Sequence, residues 1–115
     1  MSKPVVSNEM VYFIQKFKEE MEDNGFSLLP IEDKWMPRTI AHKDNHYTIE
    51  ADCRLDPSRP SFSVSGYVGS DMNNVFYFNI SSPFTDHVER FDKMMMAMEP
   101  FIKKELNSSS ISMSF

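Results

Sequence analysis

Residues 47–80 read YTIEADCRLDPSRPSFSVSGYVGSDMNNVFYFNI, and three alternating runs inside this stretch decide the fold. Strict alternation of apolar and polar residues is the mark of a strand with one face buried. Tyr47, Ile49, Ala51, Cys53 and Leu55 take the inward face of the first run, leaving His46, Thr48, Glu50, Asp52 and Arg54 outward. Phe62, Val64, Gly66 and Val68 face inward in the second, and Phe76, Phe78 and Ile80 in the third. DPSRP at 56–60, with two prolines, is a loop, and GSDMN at 69–73 turns the chain between the last two strands.

Upstream, KDNH at 43–46 predicts a hairpin. A tight two-residue turn at Asp44-Asn45 pairs His42 with Tyr47, Ile40 with Ile49, Arg38 with Ala51 and Met36 with Cys53. That register keeps apolar residues together, whereas a three-residue turn would split the face. The segment FSLLPIEDKWMP at 26–37 contains Pro30 and Pro37, so a short extended piece followed by a loop is expected, with Trp35 closing an edge of the core.

Two helices flank the strands. Ser7 or Asn8 caps the first, whose apolar face is Met10, Phe13, Ile14, Phe17 and Met21. Asn24-Gly25 ends it, with Gly25 left-handed at C′ and Phe26 folding back on Met21 in a Schellman arrangement. Pro83 stops the last strand, and Thr85 or Asp86 caps the second helix, Asp86 and Glu89 having capping-box spacing. The helix TDHVERFDKMMMAMEPFIKKELN at 85–107 runs through Pro100 with a kink. Val88, Phe91, Met95, Met98, Ile102 and Leu106 form its core stripe, and Met94, Ala97 and Phe101 a second, surplus stripe suited to contact outside the fold.

These elements predict a two-layer α+β domain, α-β-β-β-β-α, with a four-stranded antiparallel meander covered on one face by two helices. It spans 1–107. The tail at 108–115 alternates, with Ile111, Met113 and Phe115 on one face and serines on the other, so it is either solvated or an added strand on its own or a partner's sheet edge. The order of elements resembles, in outline, small acidic chaperones and phage-encoded accessory proteins. A viral accessory role is in keeping with so small a domain.

Composition narrows the function classes. With 115 residues, 41% hydrophobic and 25% charged, one core is expected and disorder of the body is not. The net charge of −5 with dispersed lysines argues against nucleic-acid binding. Residues 1–10 lack a secretory apolar run and no apolar stretch is long enough to span a bilayer, so a cytoplasmic protein is expected. The single Cys53 forms no internal disulfide, which fits a reducing compartment.

Candidate chemistry is sparse. His42, Asp44 and His46 cluster near the hairpin, but the preferred register sends the two histidines to opposite faces, so no metal site is expected. Cys53 with His42 or His46 has the residue types of a nucleophile and base, yet no helix terminus or positive cluster activates the thiol. Glu50 and Asp52, same-face neighbours about 7 Å apart, lack a pocket to shift their pKa values. The three glycines, at 25, 66 and 69, belong to no phosphate-cradling loop. No cofactor is implied.

What remains is surface. The outward sheet face is a field of serines and threonine carrying Tyr67, Tyr77 and Arg54, the make-up of a recognition surface. The expected function is a non-enzymatic protein-binding module, an adaptor or small inhibitor acting by occlusion, with Met94, Phe101, Tyr67, Tyr77, Arg54, Ile111, Met113 and Phe115 as contact residues. The alternatives are a homodimeric chaperone or structural subunit and, behind both, a small metal-dependent hydrolase.

Overall fold

A computed structural model describes residues 4, 6–103 and 111–115. Helix α1 spans Asn8–Asp23, followed by strands β1 (Ser27–Ile31), β2 (Arg38–Lys43), β3 (Tyr47–Arg54), β4 (Ser61–Val68) and β5 (Asn73–Ser81), helix α2 (His87–Ile102) and strand β6 (Ile111–Ser114). The strands form one sheet in the order β1-β2-β3-β4-β5-β6. All neighbours are antiparallel except β5 and β6, which are parallel. The α+β class and the antiparallel meander stand, but among the described residues the sheet has six strands rather than four.

The two added strands lie at its edges. β1 is formed by SLLPI, the piece expected to be merely extended; Pro30 is tolerated there because an edge strand does not need every N–H. β6 is the alternating tail, docked on its own domain. The expected continuation of α2 through Leu106, and the boundary at 107/108, fall outside the described residues.

Helix α1 forms as its sequence dictates. Ser7 Oγ accepts from Met10 N at 3.2 Å, and at the other end Phe26 N donates to Met21 O at 2.9 Å and Gly25 N to Glu22 O at 3.0 Å, with Gly25 at φ +84°. This is the predicted Schellman closure. Its buried face is Met10, Phe13, Phe17 and Met21.

The β2–β3 register departs from expectation by one residue. Asp44 and Asn45 both take left-handed backbone (φ 57° and 54°), His46 N closes the turn on Lys43 O at 3.2 Å, and pairing resumes only at Tyr47 opposite Lys43. Ala41 therefore faces Ile49 and Thr39 faces Ala51, while Ile40 and His42 move to the open face. Lys43 supplies the physical reason: in this register its ammonium donates to Asn24 O at 2.6 Å, satisfying the carbonyl end of α1, and lies 5.3 Å from the Phe26 ring centroid.

Helix α2 also differs in detail. Asp86 is left-handed (φ 53°) and makes no side-chain cap bond, so the capping box with Glu89 does not form; a capping side chain needs an extended backbone behind it. The helix is continuous through Pro100 and closes two residues later. Its buried face is Phe91, Met94, Met98, Phe101 and Ile102. Met94 and Phe101, expected on a surplus surface stripe, are core residues, whereas Val88, expected in the core, is exposed. The two apolar stripes adjoin, and the helix seats on the line between them.

Both helices cover the face of the sheet that carries Phe62, Val64, Phe76, Phe78 and Ile80. α1 packs over β1–β3 and α2 over β5. Phe13 of α1 joins the layers, stacked 5.2 Å from Phe62 of β4 and 5.7 Å from Phe91 of α2. No helix among the described residues is long and apolar enough to cross a membrane.

Candidate functional site

Among the described residues no helix covers the opposite face of the sheet, and one end of that face is shaped into two adjoining depressions. The larger, 700 Å³, is lined by Met36, Asp52, Arg54, Arg59, Ser61, Ser63, Tyr77, Asn79, Ser81, Ser82 and Ser114. The smaller, 430 Å³, is lined by Trp35, Met36, Arg54 and Asp56. Met36 and Arg54 belong to both and join them into one surface.

Register builds this site. Cross-strand bonding continues past β2, with Cys53 N donating to Pro37 O at 3.0 Å and Leu55 N to Trp35 O at 2.8 Å. Met36 thereby comes level with Arg54. The loop is fixed from within by Asp33, whose Oδ1 accepts from Met36 N at 2.8 Å and Trp35 N at 2.9 Å. Those two amides, Met36 first, hold the Asp33 carboxyl below the usual carboxylate range. Trp35 is exposed rather than closing the core, with Lys34 Nζ 5.8 Å from its ring centroid. On the far wall the Asp56 carboxylate accepts from the hydroxyl and backbone N–H of Ser58 at 2.7 and 3.0 Å, ordering the loop that carries Arg59.

Asp52 lies in the larger depression. It sits directly across from Arg38 on one side and Ser63 on the other. Arg38 nevertheless reaches along the sheet to Glu50, Nη1 to Oε1 at 3.7 Å. Asp52 Oδ1 and Arg38 Nε are left buried without a hydrogen-bond partner. Burial, reinforced by the neighbouring Glu50 charge and only partly offset by Arg38, pushes the Asp52 carboxyl up to about 6. The flat sheet expected from sequence to leave this carboxylate unshifted is, at this end, a hollow.

The sign of that shift gives a test. Above pH 6 the ionised Asp52 costs stability; the cost falls as pH drops through 6 towards the unfolded value of 3.8 and is gone below it. Asp52→Asn is expected to raise the unfolding free energy at pH 7.5 by about 1 kcal/mol, after discount for partial exposure, with the gain vanishing below pH 4. Urea unfolding at the two pH values measures it, and a gain independent of pH would assign the effect to packing instead.

Of the residues singled out from sequence, Arg54 and Tyr77 meet at this site. Tyr67 shares the face but lies at the other end of β4, opposite Thr48 and Asn74. Ile111 and Met113 pair with Phe76 and Phe78 and so lie on the helix side of the sheet. Phe115 packs edge-on against Phe78, 5.5 Å between centroids. Met36 and Arg59 are residues that strand-by-strand reading missed, Trp35 was expected at the core edge, and Asp52 was placed on this face but without a pocket.

The other chemical candidates come apart. His42 lies on the open face, where its Nδ1 is 3.3 Å from Thr48 Oγ1, while His46 sits in the turn against Tyr47. Among the described residues no group of three or more His, Cys, Asp or Glu is placed to hold a metal ion. Cys53 is buried and burial pushes its thiol up to about 12, far from a neutral-pH nucleophile. In comparisons with protein-family models, with curated proteins and with solved structures, nothing matches this chain.

Proposed function

We propose that this chain is a non-enzymatic protein-binding module, an adaptor or an inhibitor by occlusion, whose contact surface is the open sheet face around Trp35, Met36, Arg54 and Tyr77. The observation that carries the reading is the convergence of an exposed Trp, Met, Arg and Tyr on two depressions that share a wall. Trp, Tyr and Arg are the residue types that dominate binding energy at interfaces, and Met is enriched there. Ser61, Ser63, Ser81 and Asn79 supply adaptable donors and acceptors between them. A cytoplasmic setting, with a protein rather than nucleic acid as partner, belongs to the same proposal.

The experiment is photo-crosslinking in lysate from probes placed at Tyr77 and, as a control on the helix layer, at Met96, followed by titration of the captured protein. One dominant species from Tyr77, with Trp35→Ala and Tyr77→Ala each weakening its binding about 30-fold or more, is expected. Capture through Met96 alone, or binding indifferent to both substitutions, would overturn it.

One observation favours the homodimer alternative. A 670 Å³ groove between α1 and α2, floored by Tyr12, Phe91, Met95 and Ile102, is flanked by the highly exposed Met96. A second copy packing there would give self-crosslinks from Met96.

A further inference from the structure

Strand β6 is held differently from every other strand of the sheet. It is four residues long, pairs parallel to β5, and leaves its apolar side chains largely outside the core: Ile111 and Met113 are 38% and 42% exposed. Parallel pairing is the weaker kind per residue, and so little burial adds little to it. Beyond the backbone pairing, the anchoring contacts gather at Phe115. There Phe115 N donates to Asn79 O at 2.7 Å, its ring rests on Phe78, and its carbonyl accepts from Arg90 Nε.

Arg90 is preorganised for that contact without β6. Its Nη1 donates to Pro83 O at 2.9 Å and Thr85 O at 3.2 Å in the β5–α2 connection, and its Nη2 to Ser81 O at 3.1 Å at the end of β5. These three carbonyls fix the guanidinium plane and leave Nε directed at the outer side of β5. A fixed donor, a β5 carbonyl as acceptor, an aromatic floor and an open strand edge together make a socket for an extended chain.

We infer that the β5 edge is a second, separate peptide-binding site, which takes an extended segment with apolar residues at alternate positions ending in an aromatic, and that residues 111–115 are its displaceable occupant. The segment itself shows the partner's chemistry: backbone that pairs parallel to β5, aliphatic side chains at the positions of Ile111 and Met113, and an aromatic ring at that of Phe115. Its docking in cis acts at an effective concentration in the millimolar range, so a foreign peptide competes only when it binds more tightly than this segment or when the segment is released. The site lies on the sheet edge, beside the helix layer, and adjoins the Trp35–Tyr77 surface at Ser114, which lines the larger depression; dependence on the peptide's aromatic, which seats on Phe78 on the helix side, separates the two.

The test uses the whole chain and a fluorescent peptide with the sequence of residues 109–115, SSISMSF. Binding by polarisation is expected to be about ten-fold or more tighter to the Phe115→Ser chain than to the intact one, because release of the cis segment raises the fraction of open sockets. Replacing the peptide's own Phe by Ser should abolish the gain. Equal affinity for both chains, or a gain insensitive to the peptide's aromatic, would overturn the inference. Should Phe115→Ser impair folding, Met113→Pro gives the same comparison, because it removes a backbone N–H from the β5–β6 pairing at an exposed position and leaves the core intact. Amide exchange provides the second readout: residues 111–114 should lose protection in the released variant while β4 retains it, and unchanged protection at 111–114 would count against a displaceable strand.

Discussion

Gly66→Ala is expected to destabilise the protein by about 3 kcal/mol, although it adds a single methyl group. A Cβ built on Gly66 would lie 1.9, 2.3 and 2.6 Å from Phe76 Cε2, Cδ2 and Cζ. The two residues face each other across β4 and β5, so the Phe76 ring occupies the place where any other residue would carry its side chain. The ring cannot swing clear. It stacks on Phe78 at 4.8 Å and tilts against Phe101 of α2 at 4.6 Å, and all three rings are buried. Relief therefore requires β4 and β5 to separate or α2 to lift, and either disturbs the ladder beside the bulge at Gly66/Tyr67. Denaturant unfolding of Gly66→Ala, Phe76→Leu and the double variant measures the effect. The double variant should be more stable than the sum of the single changes predicts, because the smaller side chain vacates the contested space. Strict additivity would show that the methyl clashes with something other than the ring.

Phe13→Ala is the second large effect, at about 3–5 kcal/mol, which for a domain of ordinary stability approaches the whole margin. Phe13 is fully buried and ties α1 to both the sheet and α2: it is stacked on Phe62 and Phe91, and edge-on to Phe84 at 5.6 Å. Its loss leaves a cavity on the seam where α1 meets α2, the two helices otherwise being parted by a groove. Thermal unfolding should show a drop of roughly 15 °C or more in Tm, against a much smaller loss for Phe13→Leu. A loss confined to about 1 kcal/mol would mean that the seam collapses onto the vacancy.

What could be read from the chain depended on how local each signal was. Ser7, Gly25 and Phe26 act within one helical turn, and the predicted cap and Schellman closure both form. The inward sets of β3, β4 and β5 alternate in sequence and are buried as expected, except at the end beside the Gly66/Tyr67 bulge, where Tyr47 and Val68 are half-buried. β1 was hidden because Pro30 breaks its pattern, and an edge strand imposes little pattern of its own. The β2 register was ambiguous for a different reason. Ile40 and Ala41 are both apolar and lie on opposite faces, so a one-residue difference in the turn exchanges one for the other, and the deciding contact, Lys43 to Asn24, is 19 residues distant. In α2 the two adjoining stripes of Met, Phe and Val left the seating angle open by about the width of one residue.

The candidate site was half readable. Arg54 and Tyr77 follow from alternation on β3 and β5 alone. Trp35 and Met36 do not, since their position beside Arg54 follows from the register that the turn at 44–46 sets and from the Asp33 carboxylate that folds the loop. The raised Asp52 carboxyl was equally out of reach, because it depends first on burial in a hollow that the strand pattern does not announce, and then on the Glu50 charge that Arg38 only partly offsets.

The proline in β1 has a bearing on how copies of this chain behave at high concentration. Sheets that polymerise edge to edge, as in fibrils, need a donor and acceptor row on both rims so that each added molecule offers a fresh template to the next. Here one rim is occupied by a five-residue strand with Pro30 in it, which has no N–H to give a newcomer. Growth by strand addition is blunted on that side whatever happens at the other, so the molecule terminates a growing sheet rather than propagating it.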